Sequence, residues 1–250
     1  IIYSMPLIPN SLAWWIINSS DRYMLLFFCS SSIVGIYSVA YKIPTILTTF
    51  TSLFSTSMRI SSVENFKSKE TNEFLNNTYN LYFHFIVLCG GGLIAITKIL
   101  AIFLFQKGFF VAWEIVPFLL LAFIAYGLAE YLGVIYLADK KTSKILITCI
   151  LGAVVNIIFN LLLIPLFEAK GAAIATLIGY CTIWLTRHKG CNKIIPINLN
   201  NKDLIISLLL LVVEVVCLYI DQILAIIIFI CLCAYKFIFL VKIKKYIKVF

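Results

Sequence analysis

The sequence predicts an all-α protein, a polytopic transmembrane bundle of eight helices. Two features of its composition indicate this: 62% of the 250 residues are hydrophobic, and only 12% are charged. The mean hydropathy of +1.04 points the same way. Soluble domains contain about 25% charged residues and lack repeated apolar runs of membrane-spanning length. The composition therefore excludes a soluble domain.

Apolar runs recur along the whole chain, and short clusters of lysine and arginine separate many of them. A helix needs about 20 apolar residues to cross a bilayer, and most of the runs approach that length. We predict one transmembrane helix for each run, at residues 6–28, 33–57, 79–105, 111–138, 144–166, 171–186, 204–220 and 222–241.

The basic clusters follow the second, fourth, sixth and eighth segments. In the other connections between segments, the basic residues are Lys107 and Lys170. Cytoplasmic connections of membrane proteins are enriched in lysine and arginine. We therefore expect both ends of the chain to be cytoplasmic. The net charge of +9 then reflects topology rather than a nucleic-acid-binding surface.

Two further features bear on processing and redox chemistry. The chain begins at Ile1 without a signal sequence, so we expect the first helix to be mature structure and an N-terminal part of the protein to be missing. The eight cysteines include no Cys-x-x-Cys pair, and most lie inside apolar segments. We interpret them as packing residues and predict no disulfide, metal site, catalytic residue or cofactor.

Five polar residues, 18–22, interrupt the first segment. The six residues after Arg22 would span only about 9 Å as a helix, so we predict one helix with Asp21 and Arg22 inside it. Charges at membrane depth cost about 2.5–3.5 kcal/mol each and usually face a bundle interior or a wet cavity. We expect Asn18, Asp21 and Arg22 to line such a cavity. The alternative is that Asp21 and Arg22 lie at the membrane interface and pair with headgroups or with each other.

The second segment has hydroxyl groups at helical spacing, which would place them on one face. The hydroxyl-bearing residues are Tyr37, Tyr41, Thr45, Thr48, Ser52 and Ser55. Such a face suits a hydrated wall that binds sugars, with Lys42 beside it. The alternative is that the hydroxyls bond back to carbonyls near Pro44 or hold neighbouring helices together.

A carboxylate lies in the middle of the fourth segment, where Tyr126 and Glu130 share a helical face. Ionisable groups at membrane depth are functional candidates by default. Glu130 and Asp21 are therefore the candidates for coupling to a proton or cation gradient. For Glu130, a structural hydrogen bond is the alternative interpretation.

The fifth and sixth segments are predicted to form a hairpin. Asn156 and Asn160 share a face with a glycine of the fifth segment, and Gly171, Ala175 and Gly179 form a small-residue groove in the sixth. Small residues let neighbouring backbones approach closely, so we interpret these positions as packing sites.

Residues 6–44 and 156–180 resemble the C-terminal portion of polysaccharide-unit flippases. These are the Wzx-type transporters of O-antigen and capsule synthesis, in the multidrug/oligosaccharidyl-lipid/polysaccharide exporter superfamily. The matching stretches include Pro-Leu-Ile-Pro at 6–9, Asp-Arg-Tyr at 21–23 and Gly-Ile-Tyr-Ser-Val-Ala-Tyr at 35–41. At 54–59 the sequence lacks the Trp-Gln pair expected of the family, so no role is carried over to that position.

The resemblance implies two six-helix lobes around a central cavity with alternating access. Residues 1–187 would then form the second lobe, 188–202 a cytoplasmic linker, and 203–250 two additional helices with a basic tail. The implied function is the flipping of undecaprenyl-diphosphate-linked oligosaccharide units across the bacterial inner membrane for lipopolysaccharide or capsule synthesis. The implied partners are that lipid-linked substrate, membrane lipids and a polysaccharide polymerase of the same pathway.

The implied site follows from the charge of the substrate. An anionic headgroup needs fixed cations along its path, and a guanidinium binds phosphate oxygens in pairs. On this interpretation Arg22, with Lys42 and Lys98, receives the diphosphate or acidic sugars while the hydroxyl face meets the glycan.

Two other functions remain open at this point. A membrane-embedded polymerase or ligase would need a large external loop with catalytic residues, and the predicted external connections are short. A cation-coupled multidrug exporter of the same superfamily would have a cavity that is more aromatic and acidic than basic.

Overall fold

The computed structural model describes residues 7–63 and 68–246, except for the side chains at 7–13, 16, 18, 60–63, 107 and 239–246. Every regular element in this part of the chain is a helix, which confirms the predicted all-α class. The α-helices are α1 (Leu7–Phe28), α2 (Ser31–Ala40), α3 (Thr45–Val63), α4 (Lys69–Ala95), α5 (Thr97–Leu104), α6 (Val116–Ala138), α7 (Thr142–Cys191), α8 (Asn201–Ile220) and α9 (Gln222–Tyr246). A 3₁₀ helix, Lys107–Glu114, precedes α6.

The predicted segments correspond to these helices with three differences. The second segment is divided into α2 and α3, the third includes both α4 and α5, and the fifth and sixth together form α7. Four helices of the described part, α4, α6, α7 and α8, are long and apolar enough to cross a membrane, or five spans if α2 and α3 count as one. Of α9, the described apolar portion is Gln222–Ile238.

Helices α2 and α3 are bent by 50° relative to each other, a geometry that fits a broken span or a re-entrant loop. Pro44 lies at the break, where its missing N–H leaves a backbone carbonyl one turn earlier without a helical donor. The expectation that the hydroxyl groups share one continuous helical face is therefore wrong. The bend separates Tyr37 and Tyr41 from the residues that begin at Thr45.

Helix α7 is a hairpin of two antiparallel halves. The backbone leaves helical geometry at Glu168, with φ of 49° and ψ of −127°. A methyl group added at Gly152 would lie 3.1 Å from the carbonyl oxygen of Gly179, and one added at Gly179 would lie 3.3 Å from the carbonyl oxygen of Gly152. The two halves thus pack backbone against backbone, and a side chain at either glycine would separate them.

Helix α6 is the central helix of the described bundle. It is apolar around its circumference, and 78% of the residues in its most apolar stretch are buried. It packs against α3, α4 and both halves of α7. Because α6 is enclosed, the polar side chains of Tyr126 and Glu130 lie inside the protein rather than against lipid.

Helices α8 and α9 are held to α4 by a buried polar cluster. Lys236 donates to both carboxylate oxygens of Asp203, at 2.9 and 3.1 Å. His84 Nδ1 of α4 lies 3.7 Å from the same carboxylate. All three residues are buried, so this cluster fixes the last two helices against the rest of the bundle.

Candidate functional site

Asp21 is the centre of a buried hydrogen-bond network between α1, α2 and α7. The hydroxyls of Tyr37 and Thr176 donate to its Oδ2, each at 2.6 Å. The amide nitrogen of Asn160 donates to Oδ1 at 2.6 Å, and that of Asn156 lies 3.4 Å from the same oxygen. All five residues are fully buried, and we call them the Asp21 network.

The chemistry of this network suits a small cation or a proton. It combines one carboxylate with amide and hydroxyl oxygens, the ligands that hard cations prefer. The amide oxygen of Asn160 is buried and has no donor among the described residues. That of Asn156 accepts from the Ser20 hydroxyl at 3.1 Å. A cation bound here would meet oxygen atoms from three helices.

Arg22 and Asp21 are adjacent in sequence but have different environments. Arg22 is exposed, and its guanidinium carbon lies 5.5 Å from the centre of the Tyr41 ring. No Arg22–Asp21 ion pair occurs among the contacts of the described side chains. The structure thus differs from the alternative in which these two charges pair with each other, and Arg22 presents its charge at the surface of this part of the chain.

The remaining residues predicted for the cavity do not join the Asp21 network. Lys42 and Thr45 are exposed, and the Thr45 hydroxyl donates to the Lys42 carbonyl at 2.7 Å. The Thr48 hydroxyl donates to the Thr45 carbonyl at 2.6 Å. Lys98 lies 4.4 Å from the centre of the Trp113 ring. The structure thus shows the alternative in which the Thr45 and Thr48 hydroxyls bond back to the helix, and the side chain of Asn18 is outside the described residues.

A layer of aromatic rings lies next to the Asp21 network. Tyr41 contacts Phe123 at 5.7 Å between ring centres, and Tyr126 contacts Tyr180 at 5.4 Å. Trp14 contacts Tyr126 at 5.1 Å. These rings connect α1, α2, α6 and α7 and separate the Asp21 network from a second charged group.

The second charged group is a carboxylate between two arginines, which we call the Glu130 cluster: Arg59, Glu130 and Arg187. Each guanidinium lies 3.7 Å from a Glu130 oxygen. The side chain of Arg59 is 52% exposed, whereas that of Arg187 is fully buried. The cluster therefore has one fixed cation, one exposed cation and one anion. Glu130 therefore lies between two charged partners.

Arg187 is held by acceptors other than Glu130. Its Nη1 donates to the Ala129 carbonyl at 2.8 Å, and its Nε donates to the Thr148 hydroxyl at 3.1 Å. Its Nη2 donates to the Cys149 sulfur at 3.1 Å. These contacts fix the guanidinium plane between α6 and both halves of α7.

Sequence reasoning missed two sets of residues. In the sequence, Arg187 looks like the first residue of the basic connection after the sixth segment. However, Thr176, Tyr180 and Ile183 precede it at helical spacing and lie on the same buried face. That spacing is the signal that would have identified it. Asn156 and Asn160 were interpreted only as packing residues; their pairing with Asp21 depends on how α1 lies against α7.

No group of three or more histidine, cysteine or acidic residues that could hold a metal ion occurs in the part of the chain that the structure describes. All eight cysteines are free. Among the buried polar groups of the described bundle, the Asp21 network and the Glu130 cluster are those that contain residues predicted for the site.

Comparison with known proteins supports the fold. The structure is similar to that of the lipid II flippase MurJ in an inward closed conformation, with a TM-score of 0.69 and 17% sequence identity. The similarity covers 95% of this chain and 53% of the flippase, so this chain spans about half of that protein.

Sequence comparison finds one shorter similarity. Over 59 residues the chain is 42% identical to an uncharacterised membrane protein of Methanocaldococcus jannaschii, which is 24% of this chain and 12% of that protein. No model of a known protein family matches the chain.

Proposed function

We propose that this chain is part of a flippase that moves a lipid-linked oligosaccharide across a membrane. The observation that supports this most directly is the fold, which matches about half of a lipid II flippase over nearly the whole chain. In particular, we propose undecaprenyl-diphosphate-linked repeat units of a surface polysaccharide, such as O-antigen or capsule, as the substrate. The sequence stretches at 6–44 and 156–180 are the basis for this specificity. The protein would be a transporter rather than an enzyme.

The proposed arrangement is a two-lobe transporter in the bacterial inner membrane. Residues 1–187 would be the second lobe, 188–202 a cytoplasmic linker, and 203–250 two additional helices with their basic tail. A first lobe from the rest of a longer protein would supply the other cavity wall, and a polysaccharide polymerase would use the flipped product. Alternating access would then expose the site to each side in turn.

The charges support an anionic substrate. Arg22 and Arg59 are exposed, and neither is enclosed by the helices of the described part. A diphosphate cannot cross hydrocarbon without cations beside it, and guanidinium groups remain charged and bind phosphate oxygens in pairs. We propose that Arg22, supported by Tyr41, contacts the diphosphate. Lys42, Thr45 and Thr48 are exposed or partly exposed and would contact the sugar residues.

We further propose that Asp21 is the coupling carboxylate of this lobe. Its carboxylate, on α1, is the acceptor on which hydroxyl and amide groups of α2 and α7 converge. Binding a proton or cation there would change the pairing between α1, α2 and α7 together. Glu130 is the weaker candidate, because Arg59 and Arg187 already neutralise it.

A cation-coupled multidrug exporter is the second candidate. The aromatic layer beside Asp21 favours it, because aromatic faces bind organic cations. The exposed arginines favour an anionic substrate instead. Substrate specificity therefore distinguishes the two functions.

Replacement of Arg22 tests the proposed function. In a flippase-null strain that expresses the complete protein, Arg22→Ala is expected to lose surface glycan and to accumulate lipid-linked units on the inner side. Arg22→Lys is expected to recover part of the activity, since it keeps the charge without the planar fork. Surface glycan and lipid-linked intermediates are measured in cells with equal protein levels.

Lys69→Ala is the matched control, because it removes an exposed cation at the beginning of α4. It should leave surface glycan unchanged. Full surface glycan with correctly inserted Arg22→Ala would contradict the proposed role of Arg22. Export of organic cations without any effect on glycan would favour the multidrug exporter.

Single-cysteine labelling tests the proposed topology. In a cysteine-free background, an impermeant thiol reagent added outside is expected to modify cysteines at Gly108 and Lys170 but not at Lys140 or Lys193. The charge asymmetry of the connections is the physical reason. Labelling is read from intact and from permeabilised cells, and the reverse pattern would contradict the proposed orientation.

A further inference from the structure

Glu214 is a buried carboxyl group that the proposed transport site does not use. It lies on α8, six residues before the end of that helix, and its side chain is fully buried. Neither of its oxygens has a hydrogen-bond partner among the described residues. A bare carboxylate in such a place is costly, since burial of an unpaired charge is one of the most unfavourable events in a protein.

The same helix contains a contrasting carboxylate. Asp203 is also buried, but Lys236 donates to both of its oxygens and His84 lies beside it. No basic side chain of the described residues lies within ion-pair distance of Glu214. Helix α8 therefore has one buried carboxylate with a cation and one without.

Glu214 approaches the backbone of α4 near the C-terminal end of that helix. A methyl group added at Gly91 of α4 would lie 3.2 Å from Glu214 Oε2, so the glycine allows the carboxyl group to approach the α4 backbone. The backbone of Ala95, the last residue of α4, lies beside the same carboxyl group.

The side chain of Gln222, the first residue of α9, also reaches the end of α4. The Gln222 amide nitrogen donates to the Ala95 carbonyl, and its amide oxygen is buried without a donor. From α9, Leu232 and Phe229 close the other side of Gly91. The described ionisable group that faces Glu214 from α9 is the Cys233 thiol, and none faces it from α4.

We propose that Glu214 is a proton-binding site at the junction of α4, α8 and α9, where it is held as a neutral carboxylic acid. One proton removes the buried charge and converts the carboxylate into a neutral group with its own O–H donor. A hard metal cation fits less well, since Ca²⁺ takes about six to eight oxygen ligands and fewer are offered here. The inference does not depend on the proposed transport function.

Labelling with dicyclohexylcarbodiimide tests this site directly, because the reagent reacts with protonated carboxyl groups in apolar surroundings. The complete protein in native membranes is treated at a series of pH values, and mass spectrometry locates the adducts. We expect an adduct on Glu214 that decreases as the pH rises and that is lost in Glu214→Gln. Asp203 is the internal control and should remain unlabelled, since its charge is paired with Lys236.

Each contrary outcome overturns the inference. Absence of label at Glu214 at the lowest pH at which the protein remains folded would show that no protonated carboxyl is present. Suppression of the label by sodium at constant pH would show that a metal cation occupies the site instead. Equal labelling of Glu214 and Asp203 would show that pairing does not determine which carboxyl is protonated.

Discussion

Substitution of Asp21 by asparagine is expected to abolish gradient-driven transport by the complete protein. The substitution keeps the shape of the side chain but removes the negative charge on which Tyr37, Thr176 and Asn160 converge. A cation then has no carboxylate to neutralise in this network, and a proton has no acceptor of suitable basicity. Transport is measured in vesicles with and without an imposed proton or sodium gradient.

The controls separate coupling from folding. Asp21→Ala leaves three buried donors without their acceptor, at about 1–3 kcal/mol each, so it should lower the unfolding temperature more than Asp21→Asn does. Glu114→Gln removes a carboxylate that pairs with Lys170 at 2.6 Å and should keep gradient-driven transport. Unchanged gradient dependence in a folded Asp21→Asn protein would exclude Asp21 from coupling.

Substitution of Arg187 by methionine is expected to cause the largest loss of stability. Removal of one partner of a buried charge pair costs about 3–5 kcal/mol, and Arg187→Met leaves Glu130 with the exposed Arg59 as its remaining partner in the cluster. Arg187→Met also leaves the acceptors at Ala129 and Thr148 without their donors. For a protein of this size we expect the unfolding temperature in detergent to decrease by on the order of ten degrees.

Arg59 is the matched control for this prediction. Its guanidinium lies at the same 3.7 Å from Glu130, but its side chain is 52% exposed. Arg59→Met should cost less than about 1 kcal/mol, as exposed ion pairs do. The double variant Arg187→Met with Glu130→Gln should recover part of the loss, since residue 130 is then uncharged and the Arg59 charge that remains is exposed to solvent. Equal destabilisation by the two arginine substitutions would contradict the role assigned to burial.

Much of the fold could be predicted from local sequence. Apolar length and the positions of basic clusters identified the helical segments, because a membrane-spanning helix satisfies its own backbone hydrogen bonds. The break at Pro44 follows from the missing N–H of that residue. The continuation of α7 to Cys191 was harder to predict, because Arg187 and His188 look like the start of a polar connection.

The site was predicted only in part, because its contacts join distant parts of the chain. The cost of burying Asp21 indicated that it needed partners, but not that they would be Asn156, Asn160 and Thr176. Those partners depend on the packing of α1 against the α7 hairpin. The cluster of Asp203, Lys236 and His84 was missed for the same reason, since its members lie on three helices.

The sequence separations within the Asp21 network determine when its hydrogen bonds form during synthesis. Tyr37 follows Asp21 by 16 residues, whereas Asn156, Asn160 and Thr176 follow by 135, 139 and 155. At ribosomal rates of about 5–20 residues per second, the α7 partners emerge on the order of ten seconds after Asp21. Until then α1 has a carboxylate whose insertion into hydrocarbon costs about 2.5–3.5 kcal/mol. Helix α1 must therefore remain near water, the translocon or the Tyr37 hydroxyl until α7 has been made, and its final depth in the bilayer is set late in synthesis.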